Sequence, residues 1–254
     1  MKTPDYQGDV VWIIGASSGI GAALARRLSA AGAKLVLSAR RAEALKDLNQ
    51  ELGGGHLVKP VDVTDSTATA LVAQEIKADL GRLDRVVLLA AVYDPGPLHT
   101  MDMQAAEMMV KVNLFGSLSV IHAVMPILRA QDHGQIALCA SVAGFMGLPM
   151  GQPYAATKAG MINLVESLRV ETPSSIDVKV INPGFVDTDM TAKNDFPMPM
   201  MITADKAAEH IAKGLTSRAY EIHFPKGFTV ALKLIRTLPG PLRRQLLKLV
   251  MPSA

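Results

Sequence analysis

Cysteine is nearly missing from this chain: Cys139 is the single thiol among 254 residues. No internal disulfide can form and no cysteine cluster can hold a metal, so a reducing cytoplasm is the expected location. No uninterrupted apolar run approaches the roughly 20 residues of a membrane-spanning helix. The opening MKTPDYQGDV lacks the apolar run behind a basic end that marks a secretory signal. Acidic residues are absent from 225–254, where Lys226, Lys233, Arg236, Arg243, Arg244 and Lys248 lie. The rest of the chain carries 20 basic and 23 acidic residues, so the net charge of +3 belongs to this tail. A whole-surface basic face for nucleic acid is excluded on that count. What is present is 49% hydrophobic residues against 19% charged ones, ample for a buried core and inconsistent with a mainly disordered chain.

Short apolar runs alternate with helix-patterned segments. The runs are 10–15 (VVWIIG), 34–39 (KLVLSA), 56–61 (HLVKPV), 85–91 (RVVLLAA), 134–140 (GQIALCA), 176–182 (IDVKVIN) and 219–224 (AYEIHF). They are rich in Val, Ile and Leu and lack polar alternation, as strands buried on both faces do. Between them, 19–31, 42–52, 66–80 and 154–170 carry apolar residues three and four apart. Such alternation predicts an α/β, doubly wound fold: a seven-stranded, mainly parallel sheet with helices on both faces. Residues 1–224 are expected to form the main body and 225–254 a basic amphipathic helical extension of the same domain.

The segment Gly15-Ala16-Ser17-Ser18-Gly19-Ile20-Gly21 follows the first strand and opens the first helix. Its glycines allow a tight turn, a close approach and helix–strand packing, and a helix N-terminus favours a phosphate. A dinucleotide site is therefore expected there. At the end of the second strand, an acid would select a free ribose 2′-hydroxyl. This chain has Ser38, Arg40 and Arg41 instead, a set of phosphate donors. NADP(H) is expected in preference to NAD(H), which stays open, as does a plain solvated face for the two arginines.

Tyr154 and Lys158, four residues apart, fall on one helical face, and a nearby ammonium lowers a phenol pKa. Ser141 follows the fifth strand, where ligands enter parallel sheets. Asn113 is a lone amide among Val, Leu and Phe, either functional or a buried partner at a helix bend. Asn182-Pro183-Gly184 makes a rigid turn with Val186 and Thr188 beyond it.

Taken together, the GASSGIG turn, Asp62-Val63, Asn113, Ser141, Tyr154-x-x-x-Lys158 and Asn182-Pro183-Gly184 resemble the short-chain dehydrogenase/reductase family over about 10–224. The resemblance implies a Rossmann-type fold and hydride transfer between a nicotinamide and a carbonyl or alcohol. It implies Tyr154 as general acid/base, Lys158 lowering its pKa and holding the ribose, Ser141 polarising the carbonyl and Asn113 supporting a water relay for the proton. Asp62 and Val63 would contact adenine, Ala90 would lie along the nucleotide, and Ile181 to Thr188 would flank the nicotinamide. Relatives pair long helices into dimers or tetramers, here 101–129 and 154–170.

Two positions depart from the family pattern. Ile14 stands for its Thr, and Leu88-Leu89-Ala90-Ala91 for its Asn-Asn-Ala-Gly. Exchanging both polar partners can be nearly neutral, so an apolar Ile14–Leu89 contact is expected in place of a hydrogen bond. Methionines in 190–201 suggest an adaptable substrate lid, or a proline-limited loop filling core gaps. Phe145, Met146, Leu148 and Met150 are expected along the same pocket, which points to an apolar carbonyl or alcohol substrate. In the tail, Ala231, Leu234, Ile235 and Leu238 share one helical face, and Leu242, Leu246, Leu249 and Val250 another. Peripheral membrane contact through 226–251 and docking on the domain or a second subunit are both open.

Overall fold

The computed structural model describes the backbone of residues 5–250 and the side chains of 5–247. Strand β1 (Val10–Ile14) leads through helix α1 (Gly19–Ala30) to β2 (Lys34–Ser38), α2 (Ala42–Glu51) and the short β3 (Leu57–Val58). Helix α3 (Ser66–Leu80) crosses back to β4 (Arg85–Leu88) on the far side of β1. Then come α4 (Met103–Val110), α5 (Gly116–Gln131), β5 (Gly134–Cys139), α6 (Tyr154–Glu171) and β6 (Ile176–Pro183). Two-residue strands β7 (Val186–Asp187) and β8 (Ile202–Thr203) pair apart from the main sheet. Helix α7 (Ala204–Leu215), β9 (Glu221–Phe224), α8 (Lys226–Thr237) and α9 (Gly240–Val250) complete the described chain.

The sheet has seven strands in the order β3-β2-β1-β4-β5-β6-β9, and every pairing is parallel. All seven expected strands are present, most with trimmed ends, while β6 runs one residue further, to Pro183. Two apolar clusters form the core, one on each face. Alternation divides β1 between them: Val10, Trp12 and Ile14 face one way, Val11 and Ile13 the other. The chain reverses its winding between β1 and β4, which leaves a crevice at the carboxyl ends of the strands.

Capping fixes where several helices begin. Asp65, Asp102 and Thr203 accept from Ala68, Gln104 and Lys206 N–H groups at 2.9, 2.9 and 3.2 Å. Helices α4 and α5 run on through a single π turn, Lys111–Phe115, to make one helix from Met103 to Gln131. Although long and apolar enough to span a membrane by composition, this helix is spent on the core. Val112, Val120, Val124 and Leu128 are buried beside the sheet.

Ser38 departs from expectation. Its side chain does not reach the crevice; it is fully buried on the Trp12 face of the sheet. The Trp12 indole donates to its Oγ at 2.8 Å, and that hydroxyl donates to the Lys59 carbonyl at 2.5 Å. Strand alternation is the reason: Ser38 pairs in register with inward-facing Ile14, so the crevice side falls to its neighbours. Ser38→Ala should leave a buried indole N–H unpaired and cost about 1–3 kcal/mol of stability in urea unfolding. The ratio of NADPH to NADH affinity should stay unchanged; wild-type stability, or an altered ratio, would contradict this role.

Candidate active site

A cleft of about 1050 Å³ runs along the carboxyl ends of β1, β2, β4, β5 and β6. At one end is the glycine turn. Gly15 has φ +97°, and a Cβ there would lie 2.6 Å from the Ala90 nitrogen. At Gly21 a Cβ would lie 2.0 Å from the Gly15 carbonyl oxygen, so α1 can begin only against a bare Cα. Ser18, the residue before α1, is extended, and its side chain makes no capping bond. The first turn of α1 also lacks an acidic residue, so its N–H groups are left for an anion. These features fit a dinucleotide pyrophosphate. Gly15, Ser17, Ser18, Gly19, Ile20 and Gly21 all line the cleft.

Beyond the turn, Arg40 and Arg41 are exposed along the cleft wall. The Arg41 guanidinium donates to Ser17 Oγ at 3.1 Å. Arg40 lies close enough to Asp62 to favour its carboxylate. Burial pushes the Asp62 pKa up, but two Thr64 hydrogen bonds, at 2.9 and 2.8 Å, and Arg40 together hold it below the usual value. Asp62, Val63 and Ala90 line the cleft. Of Ile181 to Thr188, the cleft takes Pro183, Gly184, Phe185, Val186 and Thr188. Ile181 is fully buried in the core.

The expected Ile14–Leu89 contact is replaced. Ile14 pairs in register with Leu88 and shares its core cluster, whereas Leu89 packs on the opposite face. The link between Ile14 and Leu89 is instead a backbone bond, Leu89 N–H to Ile14 carbonyl at 2.8 Å. Ile14 and Leu88 thus form an apolar pair across adjacent strands.

At the other end of the cleft stand Ser141, Tyr154 and Lys158. Ser141 leaves β5 and caps a 3-10 turn, its Oγ accepting from the Ala143 N–H at 3.1 Å. Tyr154 opens α6, and Lys158 lies one turn on, 2% exposed, donating to the Cys139 carbonyl at 2.7 Å. Its ammonium nitrogen is 5.4 Å from the centre of the Tyr154 ring. Sequence reasoning overlooked Gly144. A Cβ there would sit 2.6 Å from the Lys158 carbonyl carbon, so α6 reaches β5 only because this residue has no side chain. Its signal was the small-residue run Ala143-Gly144 after Ser141.

The phenol pKa runs opposite to expectation. Desolvation pushes Tyr154 well above its ordinary value, and a hydrogen bond with Ser141 pulls it back only partly. Burial also pushes the Lys158 pKa down, because its charged form is the one desolvation penalises. At neutral pH the Tyr154 phenol keeps its proton.

Asn113 is at the π turn, 1% exposed, with its side chain turned from the cleft. Its Oδ1 accepts from Val92 N–H at 2.8 Å, and its Nδ2 donates to the Val92 carbonyl and Thr157 Oγ1 at 2.9 and 3.2 Å. It ties the segment after β4 to the first turn of α6.

The cleft's remaining wall is apolar and differs in detail from expectation. Leu148 and Met150 line it, but Phe145 and Met146 pack instead with Val142 and Leu232. Of the lid methionines only Met190 lines it; Phe196, Pro197 and Pro199 supply the rest of that segment's apolar surface. The 190–201 segment is fastened to Tyr93, whose hydroxyl donates to Asn194 Oδ1 at 2.7 Å. The Tyr93 ring in turn meets Tyr154 edge-on at 4.9 Å. Phe228, Leu232, Ile235, Leu246 and Leu247 of the C-terminal helices close the far side. Lys233 binds Glu221, and Glu221 Oε1 accepts from Asn182 Nδ2 at 2.8 Å, connecting α8 to the Asn-Pro-Gly turn.

Residues 9–197 match the short chain dehydrogenase family. An uncharacterized oxidoreductase of Myxococcus xanthus (strain DK1622) is 33% identical over 234 residues, 91% of this chain and 92% of that protein. A short chain dehydrogenase/reductase from Burkholderia phymatum, solved in complex with NAD, shares the fold. Its TM-score is 0.82 at 22% identity, over 92% of this chain and 94% of that one. The alcohol dehydrogenase of the archaeon Thermococcus sibiricus, complexed with 5-hydroxy-NADP, has a TM-score of 0.77 at 26% identity, covering 86% and 96%. The chain belongs to the short-chain dehydrogenase/reductase family: it is an oxidoreductase that binds a nicotinamide cofactor.

Proposed function

We propose that the protein is an NADP(H)-dependent carbonyl reductase or alcohol dehydrogenase acting on an apolar substrate, with Tyr154 as general acid/base. The observation that carries this reading is the placement of Ser141, Tyr154 and Lys158 on one apolar cleft with the glycine turn and two arginines. Bound there, the nicotinamide supplies or takes the hydride at the substrate carbon. The protein supplies alignment and the proton. Ser141 Oγ accepts from the Ala143 N–H and bonds to Tyr154, and its hydroxyl would turn to the carbonyl oxygen when substrate enters. The Tyr154 hydroxyl gives its proton to that oxygen as the carbonyl becomes an alcohol, and the reverse transfer serves oxidation. Lys158, anchored on Cys139, would hold the ribose beside the phenol. Asn113 acts as a positioning residue, through Thr157 and Val92.

Pro183, Gly184, Val186 and Thr188 would border the nicotinamide, and Asp62, Val63 and Ala90 the adenosine half. Arg40 and Arg41 are the groups proposed to bind a ribose 2′-phosphate. We take 225–254 to be part of the catalytic unit, because Leu232 and its neighbours on α8 complete the cleft wall. Apolar residues left exposed on α4, the π turn, α5 and α6, among them Met108, Phe115, Leu118 and Val170, are suited to pairing subunits into a homodimer or homotetramer.

Tyr154→Phe should lower turnover by about 10²–10⁴-fold with NADPH affinity within roughly 3-fold of wild type. Stopped-flow oxidation of NADPH across a panel of apolar ketones, with a fluorescence titration of the nucleotide, checks both halves. Wild-type binding without turnover on any ketone would favour a non-catalytic nucleotide sensor instead. Arg40→Ala should weaken NADPH about 10–100-fold relative to NADH, the value of a charge-assisted bond to phosphate. An unchanged ratio of KM values for the two cofactors would remove the arginine from that role.

A further inference from the structure

Helices α8 and α9 are apolar on two sides. Their inner side, with Phe228, Leu232 and Ile235, then Leu246 and Leu247, lines the cleft. On the outer side Val230 and Leu234, one turn apart, are 45% and 64% exposed, and Leu238 and Leu242 continue the strip at 36% and 54%. The division differs from that expected of the sequence: Ile235 turns inward, away from Leu234 and Leu238. Leu246 likewise leaves Leu242, while the side chains of Leu249 and Val250 lie outside the described residues. A helix apolar on opposite faces needs cover on both. The domain covers one.

Charge indicates what covers the other. Lys226, Arg236, Arg243 and Arg244 flank the strip, and none makes an ion pair among the described residues. No acidic residue occurs from 225 to 254. A two-fold partner of the same chain would set this face against itself, cation against cation. An anionic bilayer presents the complement, with phosphate headgroups for the cations and an acyl boundary for the leucines. The long Lys and Arg stems let the charged ends reach the headgroups while the strip sinks in.

We infer that the outer face of α8 and the start of α9 dock on an anionic lipid bilayer, bringing the apolar cleft to a surface where apolar carbonyl compounds dissolve. The substrate half of this inference rests on the reductase reading; the docking half does not.

The test is flotation of the full-length protein with vesicles of phosphatidylglycerol and phosphatidylcholine, against phosphatidylcholine alone. Partition onto the anionic vesicles should be at least about ten-fold greater and should fall at about 0.5 M salt. Leu234→Glu should abolish it, with nucleotide affinity and solution mass unchanged. A Lys226→Glu/Arg244→Glu double variant, which leaves every apolar contact in place, should abolish it too and guards against a folding defect in the first. Equal partition onto both vesicle types, or none, would overturn the proposal. So would a Leu234→Glu protein that loses a subunit in light scattering, since a second copy would then cover the strip. Docking retained in a protein that reduces no ketone would sink the reductase reading alone.

Discussion

The site depends on how closely one helix can press against one strand end. Helix α6 reaches β5 because Gly144 presents a bare Cα to the Lys158 backbone, and because the Lys158 ammonium meets the Cys139 carbonyl. Burying an ammonium with few partners is costly, so this carbonyl is an anchor as well as a contact. Once that distance is set, Tyr154 and Ser141 have little freedom. One sits at the first residue of the helix, the other at the first turn after the strand. Asn113 braces the same helix from the opposite flank through Thr157. The chemistry at the cleft is thus held by contacts made largely outside it.

The fold was legible because a parallel sheet leaves a plain trace. Seven Val/Ile/Leu runs separated by helical periods can hardly be joined otherwise, and the turn Gly15 to Gly21 follows the strand from which the winding reverses, first in sequence but inside the sheet. The shared cleft of Ser141, Tyr154 and Lys158 was legible for a related reason, as their spacing places them at a strand end and on one helical face. What sequence could not give was the direction of single side chains. Ser38 reads as a phosphate ligand until the register with Ile14 turns it into the core toward Trp12. Leu88 and Leu89 are interchangeable in sequence, yet alternation sends them to opposite faces. Phe145 and Met146 reinforce the pocket from behind rather than lining it.

Tyr154 shows how the same pair of residues can be read with the wrong sign. Proximity of an ammonium argues for a lowered phenol pKa, but burial penalises both charged forms together. Desolvation wins, and the balance favours a neutral phenol beside an ammonium that is itself easier to discharge. Burial thus keeps the proton on the phenol oxygen at neutral pH.

The stretch that identifies the family ends at residue 197, whereas Phe228, Leu232, Ile235, Leu246 and Leu247 wall the cleft from beyond it. Reaction and selectivity are therefore written in different portions of the gene. Drift in the final helices reshapes the cleft wall, and the strut from Lys233 through Glu221 to Asn182, with the packing of Leu232 on Val142 and Phe145 and of Phe228 on Phe185, obliges the two portions to change in step.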